Sequence, residues 1–210
     1  MGENLRIDHV ILGTADIDSV AARLELEYGL GSVIGGRHEG RGTGNRIVPL
    51  GSAYLELMSV VDPVEAAAHP FGRWFMDQID DGDRFLMWCV GTDDIDAVAR
   101  RLKLEVEEWT RVTPDGTTLT WRLAGLETSN AHPEVPFFIE WTVPDELHPS
   151  RARAEHDVWP LGFEEIAIAG DTGWVAEWLD GSELPIRFTT GARGVTGVTI
   201  ATETGGIALP

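Results

Sequence analysis

The sequence predicts an α+β protein: two βαβββ modules side by side, their mixed sheets curled into one cup, followed by a shortened third βαβββ-like module. Three observations carry this. The twelve residues "GTADIDSVAARL" that begin at Gly13 return as "GTDDIDAVARRL" at Gly91. An apolar, strand-like run precedes each copy, and three turn-separated strand-like segments follow each. After Trp141 a polar, proline-bounded stretch gives way to one more run of strand, helix and strands.

In chain order, "LRIDHVIL" reads as the first strand. Asp16 is a good N-cap, and Ile17, Val20, Ala21 and Leu24 fall on one helical stripe. "GSVIGGR", "NRIVPL" and "AYLELMSVV" are the next three strands, completing module 1 over residues 5–61. Residues 62–83 form a linker with a short helix from about Pro70 to Gln78. Module 2, residues 84–143, repeats the plan: the strand "RFLMWCV", a stripe of Ile95, Val98, Ala99 and Leu102, and the strands "EVEEWTRV", "TTLTWRLAG" and "PFFIEWTV". A second linker, 144–161, leads to the module at 162–210, where Asp171 caps a helix with Val175, Trp178 and Leu179 on one face. A sheet with helices on one face leaves its other face to line something, so paired modules imply a shared hollow.

Composition narrows the function. The chain has 210 residues and a formal charge of -19, from 35 acidic and 16 basic residues. That charge repels nucleic acid and anionic membrane alike. No run reaches the roughly 18 to 20 apolar residues of a spanning helix, and the N-terminus lacks a secretion-signal layout, so a cytoplasmic location is expected. The single cysteine, Cys89, lies in an apolar run and reads as a buried, inert thiol. Lys103 is the only lysine and lies just past a helix, which leaves Schiff-base chemistry without a candidate.

Chemistry concentrates in two places. "YLELM" and "FFIEW" each set one glutamate inside an apolar strand, with Glu56 on the face of Tyr54 and Met58, and Glu140 on the face of Phe138 and Thr142. A buried carboxylate needs a cation, a set of donors or a proton, so two of them suggest a shared site. Arg122, in "TWRLAG", is positioned to neutralise one, and Trp121 beside it serves as core or cavity wall. The second place is "GGRHEGRGTGNR", where Arg37, His38, Arg41 and Arg46 are threaded through glycines. It reads either as a site for a ligand's carboxylate or phosphate, or as a glycine-rich hairpin whose arginines pair with surface acids. Without a Gly-Lys-Ser/Thr ending it is not a nucleotide cradle, and no nucleotide cofactor is expected.

The stretches "IDHVILGTADID", "GGRHEGRGTGNRIVPLGSAYLEL", "PDGTTLTWRLAG" and "PFFIEWTVPDELHPS" resemble the vicinal oxygen chelate superfamily, and within it the glyoxalase-like domain family of glyoxalase/bleomycin resistance/dioxygenase type. The resemblance covers residues 5–150 well and the tail loosely. In metal-binding members, ligands come from the first and last strands of each module. His9, Glu56 and Glu140 match three of those four places, whereas the fourth holds Met87. The resemblance thus implies a site for a divalent ion such as Zn, Mn, Fe or Ni at His9, Glu56 and Glu140. Glu140, Glu56 or His148 would then move a proton in isomerase- or lyase-type chemistry on a small molecule. His148 could also be a fourth ligand or merely the turn residue before Pro149. Arg37, His38, Asn45, Arg122 and Trp121 are the expected substrate contacts. The competing reading is a metal-free protein that sequesters a small molecule, with His9 donating into a closed polar network. Sheets of this kind also pair through their edges, which leaves a homodimer open.

Overall fold

The computed structural model describes residues 4–209. Within the N-terminal half, β1 (Arg6–Gly13), α1 (Ile17–Tyr28), β2 (Val33–His38), β3 (Thr43–Pro49) and β4 (Tyr54–Val60) form the first module. The second contains β5 (Arg84–Gly91), α4 (Ile95–Leu102), β6 (Val106–Val112), β7 (Thr118–Ala124) and β8 (Phe137–Trp141). The helix starts follow the repeated caps: Asp16 accepts from the Ser19 amide, and Asp94 from that of Ala97, both where the repeat places them.

The two sheets close further than a cup. Their eight strands form one barrel in the order β1-β4-β3-β2-β6-β7-β8-β5 within a single chain. One seam is the antiparallel pair β1–β5. The other, β2–β6, is held by a single residue pair, Arg37 and Val112. Alternation then splits the apolar residues into two cores. Outward residues such as Val10, Leu55, Trp88 and Phe138 pack under α1, α4 and the C-terminal sheet, while Ile11, Met58, Met87, Trp121 and Phe137 fill the barrel.

Three features depart from the expectation. The linker holds two helices, α2 (Pro63–Ala68) and α3 (Pro70–Ile79), each with proline in its first turn. Through Phe71, Phe75 and Ile79, α3 joins the apolar cluster of the barrel interior. A short helix, α5 (Leu126–Ala131), interrupts the second module between β7 and β8. The C-terminal segment keeps the β-α-β-β-β element order in β9 (Pro160–Ala169), α6 (Thr172–Trp178), β10 (Ile186–Thr189), β11 (Gly194–Thr202) and β12 (Gly205–Leu209). Its strand order, β10-β9-β11-β12, differs from that of the barrel modules. There the first strand pairs with the last of its own module, whereas β9 lies between the next two. Pro210, the end of the expected third module, lies outside the described residues. No helix among the described residues is long and apolar enough to cross a membrane.

Candidate functional site

The barrel interior holds a narrow cavity, open at its mouth. Aromatic and aliphatic side chains, among them Phe71, Trp109, Trp121, Phe137 and Trp141, form most of its wall. Against this wall stands one polar cluster: His9 from β1, His38 from β2, Asn45 from β3, Glu56 from β4 and Arg111 from β6.

Glu56 is its hub. The Asn45 amide donates to Oε1 at 2.6 Å, His9 Nε2 faces Oε2 at 3.4 Å, and His38 Nε2 lies 3.8 Å from Oε1. Each of these groups is held from behind. His9 Nδ1 meets Asp8 Oδ1 at 2.6 Å, His38 Nδ1 meets Thr43 Oγ1 at 3.0 Å, and Asn45 Oδ1 accepts from Arg111 at 2.7 Å. Two imidazoles therefore face opposite oxygens of one carboxylate while their outer nitrogens are anchored. Burial, helped by the charges of Arg111 and Arg41 against the pull of Glu56, pushes His38 down to about 4. Its ring is neutral near pH 7.

Asp8 is buried beneath this cluster. Strict alternation would turn it away from His9, but the register between β1 and β5 slips between Ile7 and His9. The carboxylate collects three donors: His9 Nδ1, Trp141 Nε1 at 3.0 Å and His148 Nε2 at 3.1 Å. Burial opposes its ionisation, yet the hydrogen bonds from His148 and His9 outweigh burial and hold the carboxyl well below the usual range. Cys89 is buried close to Asp8 and His9, where burial first and the nearby carboxylates second push the thiol well up. That fits an inert sulfur.

The expected site residues divide. His9, Glu56, His38, Asn45 and Trp121 line the cavity. Glu140 does not: it lies on the outer face of β8, paired with Arg122, which also binds Asp96 of α4. The register gives the reason. Ile11 of β1 pairs with Glu56, and its counterpart 78 residues on, Cys89, pairs with Phe137. Phe137 thus occupies the place equivalent to Glu56, and Glu140, an odd number of residues further, faces outward. Arg122, on the same outer surface, is not a cavity contact. Arg37 faces out and pairs with Asp62 and Glu65, as in the hairpin alternative. His148 stands behind the cavity wall, bonded to Asp8 and edge-on to Tyr54 and Trp141, while its Nδ1 accepts from the Ser150 amide as a turn residue. Reading by residue type missed Asp8, Tyr54, Trp109 and Arg111. Arg41, outside the expected contacts, stacks on Trp109 at 3.4 Å from the ring centre.

Two βαβββ modules closed around a polar cluster are the architecture that the resemblance to the vicinal oxygen chelate superfamily implies. The sequence model of the Glyoxalase-like domain family matches residues 7–182, and the chain belongs to that family. No curated protein matches it. A solved structure of a hypothetical protein from Staphylococcus aureus is similar over 91% of this chain and 88% of its own, at TM-score 0.71 and 18% identity. Methylmalonyl-CoA epimerase from Mycobacterium tuberculosis is similar over 66% of this chain and 89% of its own, at TM-score 0.47 and 18% identity. The Streptomyces coelicolor enzyme of that name, crystallised with 2-nitronate-propionyl-CoA, gives 0.48 and 19% over 66% and 98%.

Proposed function

We propose that the barrel interior binds a small molecule and performs isomerase- or lyase-type chemistry on it, assisted by a divalent metal ion held by His9, His38 and Glu56. The convergence of two imidazole Nε2 atoms on one carboxylate, each group anchored from behind, is the observation that carries this reading. Metal-binding histidines characteristically give their other ring nitrogen to a carboxylate or another polar group, the role that Asp8 plays for His9 and Thr43 for His38. A fourfold set drawn equally from both modules does not fit, because the places related to His9 and Glu56 hold Met87 and Phe137, a thioether and a phenyl ring. The nitrogen and oxygen donors of the first module suit Zn, Mn, Fe or Ni.

When bound, such an ion supplies Lewis acidity toward a substrate oxygen. The protein's own groups do the rest. Asp8 fixes the His9 tautomer with its lone pair on Nε2, and Asn45 keeps Glu56 turned toward the imidazoles. The aromatic wall excludes water, which strengthens each polar contact inside. His148, in contact with Asp8, supports His9 at one remove.

The test is elemental analysis of protein purified without chelator and reloaded with each candidate ion. About one ion per chain is expected, lost in both His38→Ala and Glu56→Ala and kept in Glu140→Ala. A protein that takes up no ion would overturn the metal. Met87 and Phe137 favour what would then remain, a metal-free binder that sequesters its ligand between aromatic walls.

A further inference from the structure

We infer that Arg111 is an anion subsite and that the molecule bound in this barrel is a small monocarboxylate with a short apolar body. The inference rests on the cavity being the binding site, and it names the ligand's class. Arg111 is the one arginine that the fold buries among the described residues, at 3% exposure. Among the described residues its only hydrogen bond runs from Nη1 to Asn45 Oδ1, and its buried Nε meets no partner. In a strongly acidic chain, Arg6, Arg23, Arg37, Arg46 and Arg122 each pair with a carboxylate, all of them more exposed. The buried guanidinium has no such partner among the described residues. A buried charge with no carboxylate in direct contact is costly to keep, and the structure keeps this one at the cavity wall.

The room around it is built. A Cβ at Gly35 would stand 2.6 Å from Arg111 Nη1 and 2.1 Å from Asn45 Oδ1. One at Gly36 would stand 3.1 Å from Arg111 Cγ and 2.4 Å from the Val112 carbonyl oxygen. Two consecutive glycines in β2 thus clear the weakest seam of the barrel so that the guanidinium can lie across it. Arg111 also borders an open hollow on the other side, beside Ile34 and Leu147.

Geometry selects the class. A guanidinium presents a planar fork matched to a carboxylate. Glu56, a buried carboxylate one amide side chain away, would repel a phosphate dianion more strongly than a monoanion, which suits a singly charged ligand better. A carboxylate on Arg111 is one amide side chain from Glu56, through Asn45, so its adjacent carbons fall between the polar cluster and the tryptophans. That is the position at which a proton next to a carboxyl group could be moved.

The test titrates isobutyrate and phenylacetate against their uncharged amides, with inorganic phosphate as a further probe, following tryptophan fluorescence and heat of binding. It is run with EDTA and again with added zinc. In the wild-type protein the carboxylates should bind at least about tenfold more tightly than the amides, and phosphate weakly. The preference should vanish in Arg111→Met and be reduced in Arg111→Lys. The unliganded Arg111→Met protein should still fold, since Arg111 makes no ion pair among the described residues, although Asn45 Oδ1 loses its donor. Amides that bind as well as carboxylates, no binding at all, phosphate preferred to both, or an Arg111→Met protein that unfolds would each overturn the subsite. A carboxylate preference that survives Arg111→Met but disappears in EDTA would assign the anion to the metal instead. An Arg111-dependent preference in a protein that holds no ion would sink the metal reading and leave the subsite standing.

Discussion

Asp8 decides whether the polar cluster is as rigid as its distances imply, and Asp8→Asn tests it. The carboxylate is 2% exposed and accepts from His9, Trp141 and His148. A hydrogen bond to a buried charged acceptor contributes roughly 1.5–3 kcal/mol, and a buried donor left unpaired costs about 1–3 kcal/mol. Asparagine keeps one acceptor and turns the other into a donor, so at least one of the three incoming N–H groups meets an N–H. The expected loss is about 3–5 kcal/mol, within the 5–15 kcal/mol typical of a folded domain, so the variant should fold. Urea unfolding in EDTA, followed by tryptophan fluorescence, measures it. The pH dependence has a definite sign. Asp8 is held below its unfolded value of about 3.9, so its stabilisation is present above that value and lost as pH falls through the lower folded value. The gap between wild type and variant should be widest near neutrality and close in strong acid. A gap under about 1 kcal/mol near neutrality would refute the reasoning. Because Asp8 also sets the His9 tautomer, the variant's metal affinity should drop about 10- to 100-fold.

Three further outcomes are expected. His38 is depressed from 6.5 to about 4, so its unfolded form binds a proton that the folded form refuses across that range; stability should be present above about 6.5 and fall by about 3 kcal/mol toward pH 4. His38→Gln, melted in EDTA across that range, should lose this slope, and an unchanged slope would count against a buried neutral ring. Glu140→Gln should change stability by less than about 1 kcal/mol, since Arg122 keeps Asp96, and should leave metal content untouched. Gly35→Ala should weaken isobutyrate binding, because its Cβ displaces the Asn45–Arg111 contact; equal isobutyrate affinity in both proteins would remove the role given to that glycine.

What was legible in the chain was whatever repeats or caps. Asp16 and Asp94 precede identical apolar stripes, so the modules and their helices could be placed from the residues alone. His9, Glu56, His38 and Asn45 were also within reach. The side of the barrel that each residue faces was not. "PFFIEW" is apolar at Phe137, Phe138 and Ile139, buried on both faces, so alternation gives no inside or outside and Glu140 was assigned to the wrong one. Arg111 follows Trp109 by two residues in "EVEEWTRV", and an inward arginine there looks like an ordinary solvated one until the barrel closes. Asp8 was hidden by the irregular β1–β5 register, which no residue in "RIDHVI" announces. The C-terminal strand order was equally silent, because an element sequence does not specify which strands pair.

The duplicated modules have divided their labour, and the division has a physical logic. Every buried charge in a closed barrel needs its own partners, so a second glutamate at the Phe137 position would demand another Asn45 and another histidine. The first module supplies His9, His38, Asn45 and Glu56 to the cavity, and the second answers with Met87, Trp109, Trp121, Phe137 and Trp141. A symmetric hollow thereby becomes amphipathic, with one polar wall and one aromatic wall. Arg111 is the exception that fits: it comes from the second module, but at the seam where β6 meets β2, so its guanidinium joins the polar wall. A ligand with a charged head and an apolar body can then enter in only one orientation, with its head on Arg111 and its hydrocarbon against the tryptophans. Orientation of this kind, fixed before any chemistry begins, is what an internal repeat gains when its two copies line the hollow differently.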